Sequence, residues 1–123
     1  MYAIEERTMK MSRTVTASET CPMELGINIL SGKWKLMILW RIYRCKVIRF
    51  NELQRQVGKI TTKTLTEQLK ELEELKIVKR TVYPETPPRV EYSMTETGET
   101  LVPILQSLCD WGKSYQQYID SQL

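Results

Sequence analysis

Residues 50–72 read Phe-Asn-Glu-Leu-Gln-Arg-Gln-Val-Gly-Lys-Ile-Thr-Thr-Lys-Thr-Leu-Thr-Glu-Gln-Leu-Lys-Glu-Leu. A short amphipathic helix is predicted first. Asn51 can cap it, and Gln54 three residues on can return the bond, a capping-box arrangement. Leu53 and Val57 face inward, and Gly58 ends the helix. Ile60 is a core plug. Thr61 caps a second helix whose buried stripe is Leu65, Leu69, Leu72 and Leu75. Two such helices joined by Gly58-Lys59-Ile60-Thr61 make a helix-turn-helix.

The first turn of the second helix, Thr61 to Thr66, carries hydroxyls and Lys63 and has no carboxylate before Glu67. An ordinary surface helix favours Asp or Glu there, against the positive end of its dipole. Free backbone N–H groups at a helix start suit an anion. The charge around this turn agrees. The whole chain has a net +3. Residues 33–63 alone hold nine basic residues (Lys33, Lys35, Arg41, Arg44, Lys46, Arg49, Arg55, Lys59 and Lys63) against one acid, Glu52. The remaining stretches, 1–32, 64–95 and 96–123, are each mildly acidic. A basic block of this density calls for a partner of opposite sign, most often nucleic acid. The plainer alternative is a solvated basic face.

Residues 1–20 show no clean period and hold four threonines and two serines. A flexible arm is expected there, able to drape over a partner subunit or over DNA. The ordered domain is expected over 21–123. It opens at Cys21-Pro22, with proline at the first helical position and a helix through Met23, Ile27 and Leu30. Ser31-Gly32 breaks it. A second helix is predicted from about Lys33 to Arg44, on the spacing of Trp34, Met37, Ile38, Arg41 and Ile42. Val47 to Arg49 suit a brief strand.

Beyond the two central helices the period changes. Ile77 to Tyr83 read as a strand, Pro84-Glu85-Thr86-Pro87-Pro88 as a loop tip, and Arg89 to Met94 as the returning strand. A hairpin directly after a helix-turn-helix is the wing of a winged helix. Lys79, Arg80 and Arg89 can reach phosphates or a minor groove from it. Ordinary cross-strand pairing with Glu85 and Glu91 is the alternative. Thr95 caps a last long helix in which Leu101, Ile104, Leu105, Leu108, Trp111, Tyr115, Tyr118 and Ile119 recur at threes and fours. A broad aromatic stripe of this kind needs cover, and a second copy of the chain supplies it most economically. Ile27, Leu101, Leu105, Leu108, Trp111 and Tyr115 are the expected dimer contacts, with Gly112 allowing close approach. The fold class is mainly α with a small antiparallel β wing.

Composition excludes much. The chain has 123 residues, one domain's worth, with 41% hydrophobic content and no histidine. A histidine base, triad or metal ligand is therefore impossible. Five glycines build no phosphate loop, and three cysteines match no zinc pattern. No enzyme activity, cofactor or metal is expected. The longest apolar run, Leu36 to Trp40, is too short to span a membrane. The charged N-terminus lacks a secretory core, so a cytoplasmic location is expected.

Read in order, Cys21-Pro22, Leu30-Ser31-Gly32-Lys33-Trp34, Arg49-Phe50-Asn51-Glu52-Leu53 and Ile60-Thr61-Thr62-Lys63-Thr64-Leu65 resemble the HxlR-type winged-helix transcriptional regulators of bacteria and archaea. So do Leu69-Lys70-Glu71-Leu72, Arg80-Thr81-Val82-Tyr83-Pro84, Pro87-Pro88-Arg89-Val90-Glu91-Tyr92 and Leu108-Cys109-Asp110-Trp111-Gly112. The resemblance covers about residues 21–119. It implies a homodimer on a palindromic operator in double-stranded DNA, with terminal helices at the dimer interface. The helix from Thr61 would lie in the major groove and the wing against flanking backbone. Base reading then falls to Thr62, Lys63, Thr64 and either Glu67 or Gln68, beside the cap Thr61. Phosphate contacts fall to Lys33, Lys35, Lys46, Arg49, Arg80 and Arg89. A protein-interaction module without DNA binding is the alternative. The family usually carries a glycine in the link before the wing, where this chain has Leu75-Lys76-Ile77; a lysine at 76 is awkward if φ is positive.

Some members of that family respond to oxidants or electrophiles through a cysteine at the position of Cys21. A thiol at a helix N-cap meets the positive end of the dipole. Cys45 sits between Arg44 and Lys46, and Cys109 looks like a core thiol. Cys21 and Cys45 are the expected redox switch, pairing within or between chains. A regulator without a thiol switch remains the alternative.

Overall fold

The computed structural model describes residues 21–123; the arm expected over 1–20 lies outside the described residues. The chain divides into two compact units, one ending at Leu36 and the other spanning Met37–Leu123. The first holds α1, Pro22–Leu30, with Cys21 at its N-cap and proline in its first turn. Gly32, at φ +106°, ends the connection in a conformation that a side chain resists. The next helix, α2, accordingly runs Lys35–Cys45 and starts two residues later than the apolar spacing suggests.

In the second unit, Ile38, Leu39 and Ile42 of α2 are fully buried. Strand β1, Val47–Arg49, leads directly into α3, Phe50–Val57, and α4 follows over Thr62–Glu74. Leu53, Ile60, Leu65, Leu69 and Leu72 join the core, as the sequence pattern predicts, whereas Val57 is half-buried and Leu75, expected in the buried stripe, is the half-buried C-cap of α4. The capping box does not form. Because α3 begins immediately after the strand, its N-cap is Arg49, and Asn51 lies inside the first turn with no capping role.

Strands β2, Val78–Tyr83, and β3, Arg89–Met94, form the wing hairpin. The sheet order is β1-β3-β2, all antiparallel, with Ile48 and Arg80 both opposite Tyr92. Residues 84–88 form the tip, and the Thr86–Pro87 peptide is cis. Ile48, Val78 and Tyr92 turn the inner side of the sheet into the core.

The last helical segment is two helices, not one. Thr95 caps a short helix α5, Glu96–Glu99, and α6 runs Val102–Ser121. Pro103 explains the break. It has no N–H for the carbonyl four residues back, and its ring excludes that carbonyl from a continuous helix. Thr95 pins α5 to the link between α4 and β2: its hydroxyl accepts from Gly98 N–H (2.9 Å) and donates to the Lys76 carbonyl (2.5 Å), while its N–H bonds the Ile77 carbonyl (3.0 Å). A Cβ at Gly98 would stand 2.2 Å from that same carbonyl oxygen, so only glycine fits. Farther on, Gln106 Nε2 donates to Tyr43 Oη at 2.8 Å and ties α6 to α2.

Helix α4 closes in a Schellman arrangement. Lys76 N–H bonds the Glu73 carbonyl, and Ile77 N–H bonds the Leu72 carbonyl. The residue between helix and strand in this motif takes left-handed geometry, and Lys76 does so at φ +64°. Lysine pays for its Cβ there. Lys76→Gly is expected to stabilise the fold by about 1 kcal/mol, the steric relief exceeding the added chain entropy. The melting temperature should rise by roughly 5 °C. An unchanged or lower value would contradict the assigned strain.

Candidate nucleic-acid interface

The turn between α3 and α4 is built from three constraints. Gly58 takes φ +105°, which reverses the chain, and its N–H closes α3 on the Gln54 carbonyl. Ile60 N–H bonds the Gly58 carbonyl at 2.8 Å while its side chain is buried at 5% exposure. Gln54 then reaches across the turn. Its Nε2 donates to the Ile60 carbonyl (3.0 Å) and to Thr62 Oγ1 (3.3 Å). The sequence reading assigns Gln54 to a capping box within its own helix, and the structure commits it to the next one instead.

Thr61 is the N-cap of α4. Its Oγ1 accepts from Thr64 N–H at 3.1 Å and donates to Thr64 Oγ1 at 3.0 Å. Thr61 therefore supports the turn rather than presenting a free hydroxyl. Thr62 and Lys63 are exposed and Thr64 is half-buried. No acid occupies this first turn. Gln68 is half-buried and already engaged within the chain. Glu52, the one acid of the basic block, is held by Arg55 and by Gln56 Nε2.

The other cations sort by environment. Lys46 and Arg49 are exposed, as are Lys79 and Arg80 on the wing. Lys33, in the first unit, is exposed and lies over the Trp34 ring at 4.7 Å. Lys35 departs from the expectation: it is only 8% exposed and has a partner of its own, so it lacks the exposure a phosphate contact needs. Arg89 departs too. It pairs with Glu85 (3.1 Å) and Glu91 (3.3 Å), and its guanidinium lies 4.0 Å from the Tyr83 ring centroid. Pairing with Glu85 and Glu91, the alternative reading for this residue, is the arrangement it adopts, though not across strands: Glu91 lies on β3 with Arg89, and Glu85 lies in the tip. Nothing in the sequence period marks Tyr83 as its stacking partner; the pairing register, Tyr83 opposite Arg89, does.

Residues 29–120 match the family described as HxlR-like helix-turn-helix. The chain belongs to that family. Its members are DNA-binding transcriptional regulators and not enzymes. An HTH-type transcriptional regulator of Halalkalibacterium halodurans, BH0655, is 50% identical over 95 residues, 77% of this chain and 84% of its own. The solved redox regulator HypR is similar in both states. Its reduced form has a TM-score of 0.76 at 42% identity, covering 82% of this chain and 99% of that one. Its oxidised form has a TM-score of 0.72 at 45% identity, covering 76% and 96%. The reduced form of the regulator YodB from Bacillus subtilis has a TM-score of 0.67 at 36% identity, covering 78% and 94%.

Two further features bear on the HxlR-like chain. Along α6, Ile104, Leu108, Trp111, Tyr115, Tyr118 and Ile119 are exposed, and Trp111 stacks on Tyr115 with centroids 5.1 Å apart. Leu105, expected in this stripe, is buried at 3% and belongs to the chain's own core; Leu101 is half-buried. On α1, Ile27 is 54% exposed. All three cysteines are free thiols. Cys21 is exposed in the first unit. Cys45 is exposed in the second, its Sγ 3.5–3.6 Å from the side-chain amide of Gln56 on α3. Cys109, read as a core thiol, is half-buried. Among the described residues no helix is long and apolar enough to cross a membrane.

Arg89→Ala is expected to destabilise the wing by roughly 1–2 kcal/mol, the combined scale of two partly exposed ion pairs and a stacked guanidinium. Hydrogen exchange at the β2–β3 amides should quicken. Arg89→Lys should restore only part, because an ammonium neither forks nor stacks as a guanidinium does. Unaltered exchange in the alanine variant would return Arg89 to the pool of free cations.

Proposed function

We propose that the chain regulates transcription by binding duplex DNA as a homodimer at an operator with two-fold symmetry, under control of thiol oxidation. The observation that carries this reading is the first turn of α4, where exposed Thr62 and Lys63 stand without an acid at the edge of the basic block. That turn enters the major groove, and Thr62, Lys63 and Thr64 reach base edges. Lys33, Lys46, Arg49 and Arg80 meet phosphates and set the register. The wing lies along flanking backbone.

The exposed aromatic stripe of α6 forms the dimer contact with Ile27 of α1. Exposed aromatics in this number on a helix of a small domain are support for such a surface. For thiol control, support comes from the similarity to HypR, a redox regulator solved in oxidised and reduced forms. The geometry adds a second support. Cys45 touches Gln56 of α3, so a covalent change at its sulfur is felt by the first helix of the pair. The proposed step joins Cys21 and Cys45 Sγ in a disulfide, within or between chains, and an oxidant takes up the two protons and two electrons released.

A DNA-selection assay on reduced and oxidised protein tests the reading as a whole. The parent is expected to select a two-fold symmetric site. Lys63→Ala should lose preference at one base step by about 1–3 kcal/mol. Oxidation should change affinity in the parent and in neither Cys21→Ala nor Cys45→Ala. An unaltered base preference in Lys63→Ala removes its reading role. Unchanged affinity and unchanged non-reducing gel mobility after oxidation remove thiol control.

Trp111→Ala is expected to raise the dimer dissociation constant about thirtyfold, the scale of an aromatic anchor worth about 2 kcal/mol. Sedimentation equilibrium measures it. A variant that dimerises like the parent places the interface elsewhere.

A further inference from the structure

We infer that Gln54 is a positioning residue: it fixes the Thr62 hydroxyl as an outward hydrogen-bond donor, so that α4 selects base edges bearing acceptors. The inference rests on the DNA-binding reading above and deepens it.

The Gln54 carboxamide faces two oxygens, the Ile60 carbonyl at 3.0 Å and Thr62 Oγ1 at 3.3 Å. A peptide carbonyl can only accept. The NH2 end of Gln54 must therefore face Ile60, since the flipped amide would set two carbonyl oxygens against each other. With the NH2 end so placed, its second N–H points at Thr62. A hydroxyl has one proton and accepts through its lone pairs. Thr62 accepts from Gln54 through one lone pair, and its own proton lies on a side away from Gln54.

A second bonded pair of groups lies one step on. Thr64 N–H donates to Thr61 Oγ1, and the Thr61 hydroxyl spends its proton on Thr64 Oγ1. The Thr64 proton is then free to point away. Between them Lys63 carries only donors and is exposed. The backbone amides of Thr62 and Lys63 have no acceptor within the helix, by the geometry of a helix start. The first turn thus offers donors at three successive residues, and the nearest carboxylate on α4 is Glu67. In the major groove, guanine O6 and N7 and thymine O4 accept, whereas the cytosine amino group donates. At the step facing Thr62 an acceptor edge, guanine O6 or N7, thymine O4 or adenine N7, is therefore favoured over the amino group of cytosine.

Selection from a random duplex pool, followed by fluorescence anisotropy on single-step variants of the selected site, tests this. The proteins are the parent, Gln54→Met, Thr62→Val, the double variant and Thr62→Ser. Gln54→Met keeps side-chain length, and Thr62→Val is a near-isostere at an exposed site. Each is expected to lose about tenfold in preference at the step facing Thr62, with other steps unchanged. The double variant should be no worse than Thr62→Val, because Gln54 acts through that hydroxyl. Thr62→Ser should retain the preference. Gln54→Met that keeps the parent's base preference overturns the inference. So does a loss equal at every step, which marks a purely structural role in the turn, or additive losses in the double variant. Cytosine at that step in the parent's site overturns it as well. A parent that selects no duplex at all overturns the DNA-binding reading, and this inference with it.

Discussion

Between Val57 and Thr62 the chain has four residues in which to stop one helix, reverse and start another, while its single apolar side chain stays in the core. Ile60 is that side chain, and its burial is the constraint on which the arrangement of α3 and α4 depends. Gly58 supplies the left-handed φ that a Cβ would oppose. Ile60 N–H closes on Gly58, its carbonyl is claimed by Gln54, and its side chain leaves water. Thr61 then begins α4 with a cap that satisfies one of the helix's orphan donors. Removing Gln54 takes the partner from the part-buried Ile60 carbonyl, a cost comparable to a whole hydrogen bond.

The turn also decides the polarity of what it presents. Caps and bridges usually count as stability devices. Here they occupy one lone pair on each of the Thr61, Thr62 and Thr64 hydroxyls. Thr61 both donates and accepts within the turn, Thr62 and Thr64 accept from neighbours, and the positive end of the α4 dipole lies beneath. A surface prepared in this way is complementary to phosphate oxygens in general and to acceptor-rich base edges in particular. Affinity and selectivity then draw on the same few side chains.

The sequence carried the elements whose cause is local. Pro22 at a helix start, Gly58 at a helix end, the leucine stripe of α4 and the alternation of Arg89 to Met94 are each a one-residue or one-period signal, and each appears where expected. What was not legible is what depends on a neighbour's exact offset. The capping box failed because β1 runs into α3 without a gap, which moves the cap to Arg49. The last helix split because Pro103 falls one turn too late for a continuous helix and early enough for a new one. Leu105 lies on the inward side of α6, a matter of helix rotation that a broad apolar arc does not resolve. At the interface, Thr62 and Lys63 were legible as exposed donors, but Gln54 was not, because its partners lie six and eight residues on across a turn.

The cations show the same dependence on position. Charge counted along the chain treats each lysine and arginine alike, yet the fold divides them. Arg55 is committed to Glu52 one turn away, and Arg89 to acids four residues before and two after it, with Tyr83 opposite in the register. Lys35 is buried. Lys46, Arg49, Lys63, Lys79 and Arg80 are exposed. The wing then has two jobs assigned to different residues: Arg89 holds the hairpin's shape, and Lys79 and Arg80 on β2 carry its outward charge. Since each phosphate contact releases counterions, salt dependence reports the exposed group of cations rather than the total in the sequence. A strand cation paired within its own hairpin, as Arg89 is, holds the wing's shape, and under the DNA-binding reading proposed above it is not among the cations counted in that slope.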